Sequence, residues 1–273
     1  MQHSVFAMQA RGEYAQVVKS VILSLVALLI FGTAAYSEDL PAPLKSGGVV
    51  LTFDDRNFDD WLAAIPLFEK YHANATFFIS GAIDEKAIAT ALELKQHGHA
   101  IGSHSVHHLS AIKYLEDHTA ADFVKNEIEP QMIAFRAAGI TPTAFAYPMS
   151  RNHPETDKEL LKIFRHLRTG KGIDSQRGII DYDEFFVPVE KIKETGLLFG
   201  KGIDFAPVRD DRSFEKIDAA LTRAAQNREI LTLYAHQITP IGKGNFITPS
   251  ALEHVLKKAK ALNLPFFTVD QLP

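Results

Sequence analysis

The chain has 273 residues, of which 46% are hydrophobic, a formal net charge of −4 and no cysteine. That length suits one large domain with a full core, and a nearly balanced charge without basic blocks argues against a nucleic-acid partner. Lacking thiols, the chain has neither a disulfide framework nor a thiolate metal site, so any metal must be held by imidazole and carboxylate.

Near the amino terminus, Arg11 and Lys19 precede an apolar run from Val21 to Phe31, and the small residues Gly32, Thr33, Ala34 and Ala35 follow it. The run is shorter than the ~20 residues a spanning helix needs. Ala35 and Ser37 stand where a signal peptidase reads small side chains. Residues 1–37 are therefore predicted to be an export signal to the periplasm or the extracellular space. Membrane attachment follows only if that segment stays uncleaved as an anchor. Residues 38–47, with Pro41 and Pro43, read as a linker, and residues 48–273 as a single domain.

The first strand, Gly48 to Asp55, is an apolar β-prone run ending in two adjacent carboxylates, Asp54 and Asp55. Such a strand is buried on both faces, so charge fits only where the strand emerges at its carboxyl end. Two neighbouring carboxylates there are relieved by a bound cation or a shared proton, while a turn with a helix cap is the plainer alternative. A helix is expected over Asn57 to Tyr71, kinked or restarted at Pro66, then a strand over Ala75–Ser80 and an amphipathic helix over Asp84–His97 closed by Gly98.

A third strand, His99 to His104, runs into Ser105-Val106-His107-His108. Further expectations are a helix over most of Leu115–Ala138, a strand over Thr143–Pro148, a helix over Thr156–Ile163, a strand over Phe164–Arg168 and another over Glu184–Val189. The stretch from Thr169 to Arg212 is glycine-rich and otherwise hard to parse. After it come a helix at Ser213–Asn227, a strand at Glu229–His236, a helix at Ser250–Leu262 and a closing strand at Phe266–Val269. Alternating strands and helices imply an α/β fold with a parallel sheet, and seven to eight strands suggest a barrel.

In a parallel barrel, Asp54-Asp55, His104 with His108, Tyr147-Pro148 and His236 all fall at the carboxyl ends of strands and hence on one face. His104 and His108, four residues apart, with one carboxylate make a two-histidine, one-carboxylate site that leaves positions open for water and substrate. The spacing is expected to put the two imidazoles on one side of a helical turn, from which His107 points away.

Four segments, Thr52-Phe53-Asp54-Asp55, His104-Ser105-Val106-His107-His108, Ala146-Tyr147-Pro148-Met149-Ser150 and Leu233-Tyr234-Ala235-His236, resemble, in order, the motifs of the NodB-type polysaccharide deacetylases, carbohydrate esterase family four. The resemblance implies a distorted (β/α) barrel that binds a divalent metal, usually zinc, and removes N- or O-acetyl groups from a glycan. Carried over by position, Asp55, His104 and His108 would hold the metal, Asp54 would be the base and His236 the acid. The Met149 N–H would serve the oxyanion, with Tyr147 and Tyr234 at the substrate. Other readings are a catalytically weak carbohydrate-binding barrel and a metal hydrolase of a small non-sugar amide.

Two departures from the family pattern carry expectations of their own. Ala146 stands where the family has an arginine that pairs with the base, and Arg168, or else Arg151, is predicted to supply the missing cation to Asp54. The family's Asp-x-x-Asp-Trp segment is absent, and Asp174, Asp181 and Asp183 are the candidates to support His236.

Overall fold

The structure is a computed structural model and describes Leu44 and residues 46–172, 178–204 and 213–273. The predicted signal and most of the linker lie outside the described residues, as does Asp174. Among the described residues no helix is long and apolar enough to cross a membrane.

Seven parallel strands close into a barrel: β1 (Gly48–Asp55), β2 (Thr76–Ile79), β3 (Ala100–Ser103), β4 (Ala144–Ala146), β5 (His166–Gly170), β7 (Leu197–Gly202) and β8 (Glu229–Ala235), with β8 pairing back onto β1. β6 (Phe186–Pro188) runs antiparallel on β8 outside this ring. The small parallel pair β9 (Gln237–Ile238) and β10 (Phe246–Ile247) follows the last barrel strand. β11 (Phe266–Phe267) pairs only with the first half of β1, at Val49 and Val50, so the predicted closing strand is a floor piece.

Strand parity sorts the apolar residues into two layers, because successive side chains in a strand point to opposite faces. Val49, Leu51 and Phe53 face the surrounding helices in one buried cluster with Phe77, Ile79, Leu231 and Leu233. Val50 faces inward with Phe78, Ala144, Ala146, Leu198 and Ile230, and Leu44, Val269 and Leu272 join them. Gly102 gives the interior room: a methyl group there would sit 2.2 Å from the Phe78 ring. The barrel is thus packed below and can open only above, at the carboxyl ends of its strands.

The helices follow the sequence signals with two exceptions. The predicted helix at 57–71 is split into Phe58–Ala63 and Ile65–Tyr71, with Pro66 in the first turn of the second piece, where a missing N–H is harmless. The predicted helix at 115–138 begins only at Ala120, behind a Thr119 capping box, and contains a π turn over Val124–Ile128 before continuing as Glu129–Ala137. The helix Glu85–Gln96 starts at its Asp84 cap, which accepts from the Ala87 N–H.

The barrel strand missed in the sequence is β7. It lies inside the glycine-rich stretch, and Gly200 and Gly202 lower its β signal while leaving space for the Tyr234 ring, whose Cζ lies 3.1 Å from where a Gly202 methyl would be.

Candidate active site

A cavity of about 650 Å³ opens at the carboxyl ends of the strands, lined among others by Asp54, Asp55, His104, His108, Tyr234 and His236. Pleating alone would send Asp54 and Asp55 to opposite sides of the sheet. Asp55 has φ of 85°, which takes it out of extended geometry and lets both carboxylates line the same cavity. Ser105, His108, Met149 and Ser150 also have positive φ, between 55° and 62°. Left-handed backbone at a non-glycine residue costs on the order of 1–3 kcal/mol, and its concentration at one rim is the pattern of a working site.

Asp55 Oδ1 lies 3.6 Å from His104 Nε2 and 3.3 Å from His108 Nε2. One donor atom from each residue falls within 4.8 Å of the other two. His104 Nδ1 donates to the Ala146 carbonyl at 2.7 Å, which fixes the tautomer and leaves Nε2 unprotonated toward the other two residues. Burial lowers the His104 pKa below that of a free imidazole, against the pull of Asp54, and so favours the neutral form a ligand needs. Ser105 Oγ accepts the His108 N–H at 3.0 Å and tightens the turn between the histidines.

Asp54 is buried and hydrogen-bonded through Oδ2 to Arg168 Nη2. Its Oδ1 is buried with no hydrogen-bond partner among the described residues. Burial alone would raise the Asp54 pKa, but the Arg168, His104 and His236 charges outweigh it and hold the carboxyl below the ordinary value of 3.8. Arg168 sits within β5, not at its end as predicted, and is in register with Ala146 of β4. The guanidinium stacks over the rings of Tyr234 at 4.7 Å and Phe78 at 5.5 Å. Arg151, the other candidate partner for Asp54, is exposed on the cavity rim and does not pair with it.

His236 is held by Asp204, a residue the sequence reading missed. Its Nδ1 donates to Asp204 Oδ2 at 2.8 Å, and its backbone N–H donates to Oδ1 at 3.0 Å. Burial would lower the His236 pKa, but Asp204, with Asp54 and Asp55 nearby, raises it above 6.5. Neither described candidate reaches His236: Asp181 caps Gly178 and Asp183 pairs with Arg223. The signal for Asp204 was present, since Leu197 to Asp204 is another β-prone run ending in a carboxylate, but its glycines masked the strand. Trp61 adds support from the other side, its indole N–H donating to the His236 carbonyl at 2.9 Å.

The Tyr147 side chain is not at the cavity. It is fully buried, packs on Phe145 and hydrogen-bonds through its hydroxyl to Thr156 and Asp157, because parity after Ala146 turns it outward. Met149 and Tyr234 do line the cavity.

Residues 42–166 match the polysaccharide deacetylase family. The matched segment contains Asp54, Asp55, His104 and His108, while Arg168, Asp204 and His236 lie beyond it. YxkH of Bacillus subtilis (strain 168), whose name refers to the same activity, is 26% identical over 164 residues, 57% of this chain and 56% of that protein. The chain thus matches little more than half the length of this curated relative. Among solved structures, the peptidoglycan deacetylase PdaC of Bacillus subtilis superposes with a TM-score of 0.53 at 16% identity, covering 84% of this chain and 90% of the other. The chitin deacetylase of the fungal pathogen Colletotrichum lindemuthianum gives 0.51 at 20% identity, covering 82% and 86%. At such identities the likeness is one of fold.

Proposed function

We propose that this chain is an exported, metal-dependent deacetylase that hydrolyses N- or O-acetyl groups on a polysaccharide or oligosaccharide. The single observation that carries the reading is the convergence of Asp55, His104 and His108 beside Asp54, whose charge is held by Arg168 and whose second oxygen is unpaired.

The three donors fit a divalent cation, most naturally zinc: two imidazoles and a carboxylate match its preference for nitrogen and oxygen ligands, and His104 is oriented by its bond to Ala146. When bound, such an ion would polarise the acetyl carbonyl and acidify water.

The remaining work falls to the chain's own groups. Asp54 Oδ1 takes the proton of the attacking water, and Arg168 keeps that carboxylate ionised and aimed. The Met149 N–H, on a left-handed turn at the cavity, donates to the oxyanion as charge develops on the acetyl oxygen. His236, kept protonated by Asp204, delivers a proton from Nε2 to the departing nitrogen or oxygen, so that acetate and a neutral amine or alcohol are released. Residues 1–37 serve as the export signal, which places the enzyme where acetylated glycans are exposed.

The test is acetate release from acetylated chitooligosaccharides, peptidoglycan and xylan by the chain as prepared, after chelation, and after zinc is restored. The reading expects release from at least one of them, lost with the metal and regained with it. Undiminished release after thorough chelation would contradict it.

A further inference from the structure

The loop that carries both histidines is gripped by a helix on which neither histidine lies. Glu127 in the π turn and Gln131, four residues on in the α-helix that continues it, are each only 1% exposed. Their neighbours Phe123, Ile128, Met132 and Phe135 are apolar and buried, so two polar side chains in that layer carry a desolvation cost unless every polar atom is used.

Every one is used, and most of the bonds go to the histidine loop. Glu127 Oε2 accepts the His107 N–H at 2.9 Å and Oε1 accepts from His107 Nδ1 at 2.6 Å, while the Glu127 carbonyl accepts the Val106 N–H at 3.0 Å. Gln131 Oε1 accepts from Ser103 Oγ at 2.7 Å. Its Nε2 donates to the carbonyls of Ser105 at 3.0 Å, Ile79 at 2.9 Å and Gly81 at 2.7 Å. Ser103, Ser105, Val106 and His107, the residues that bracket and separate His104 and His108, are therefore all tied to this helix or its side chains. A π turn is an unusual local geometry that is frequent at functional sites, and here it is the segment that contains Glu127.

The tie has something to hold. Ser105 and His108 both have positive φ, 62° and 55°, so the loop stores backbone strain that relaxes unless its surroundings over-determine it. His107, itself no ligand, is the handle by which the buried carboxylate reaches the loop.

We propose that Glu127 and Gln131 are positioning residues that preset His104 and His108 for the cation, an inference that rests on the metal-centre reading above. Glu127→Gln cannot accept both His107 donors, and it should weaken Zn2+ binding by about 10–100-fold, the usual effect of losing a group that orients a ligand. His107→Ala removes the ring contact but keeps the backbone one, so its loss should be smaller.

The experiment is Zn2+ affinity by competition with a chromophoric chelator, with the fold of each variant checked by circular dichroism. Glu129→Gln, an exposed change on the same helix, should bind as the parent does. Folded Glu127→Gln and His107→Ala proteins that both hold Zn2+ with the parent's affinity would overturn the proposal. If Glu127→Gln does not fold, His107→Ala decides alone. Asp55→Ala separates the two levels: if it too binds like the parent, the metal centre is misassigned, whereas loss in Asp55→Ala without loss in the other two rejects only the positioning role.

Discussion

Ala146 and Arg168 are in-register partners on the adjacent parallel strands β4 and β5, and the guanidinium of Arg168 reaches Asp54 across the barrel interior. The NodB-type pattern puts its arginine at the position of Ala146, so the same charge arrives one strand over. Gly200 leaves room for the Arg168 stem, whose Cδ lies 3.2 Å from where a Gly200 methyl would be.

Removing that charge strands a buried carboxylate. Arg168→Ala should destabilise the protein by about 3–5 kcal/mol, the usual cost of breaking a buried pair from one side. It should also cut kcat much more than it changes KM, because Asp54 would be partly protonated. The double change Ala146→Arg with Arg168→Ala should recover part of both losses, as read by chemical denaturation and acetate release.

If His236 is the acid, the Asp204–His236 pair should set the alkaline limb of the pH profile. Acting protonated, His236 should make kcat/KM fall as pH rises through its raised pKa, above 6.5. Asp204→Asn should move that limb to lower pH and reduce the plateau by less than the ~10²–10⁴-fold expected for losing the acid itself in His236→Ala. A limb that stays in place would remove His236 from the role.

Stability should respond to the same two groups in opposite directions. The Asp54 pKa is lowered on folding, so its contribution is present above 3.8 and is lost as pH falls through the folded value. The His236 pKa is raised, so its contribution is complete below 6.5 and is lost as pH rises through the folded value. Denaturation midpoints across pH for the parent, Arg168→Ala and Asp204→Asn should show the acid-side term shrink in the first variant and the alkaline-side term shrink in the second.

Tyr147→Phe should cost about 1 kcal/mol through the lost bonds to Thr156 and Asp157, with acetate release per folded molecule unchanged. Tyr234→Ala, by contrast, uncovers the Arg168 guanidinium inside the cavity and should lower activity.

Much of this arrangement was legible before any coordinates. β1 and β8 announce themselves as apolar runs ending in Asp54-Asp55 and His236, whereas the segment between His104 and His108 is not the helical turn their spacing suggested, since Ser105 and His108 have positive φ. Those signals are local. Asp204 was hidden because Gly200 and Gly202, needed to seat Tyr234, erase the β pattern of the strand that delivers it. The direction of Tyr147 was decided by strand parity, which a motif read as a string does not convey. The clasp of Glu127 and Gln131 on the histidine loop joins segments about twenty residues apart, through a π turn that no residue pattern marks.

If one cation is held jointly by Asp55, His104 and His108, metal analysis after chelation, reloading with zinc and exhaustive dialysis should find one zinc per chain in the parent and far less in Asp55→Ala and His104→Ala. A parent that retains none, or variants that retain as much as the parent, would contradict it.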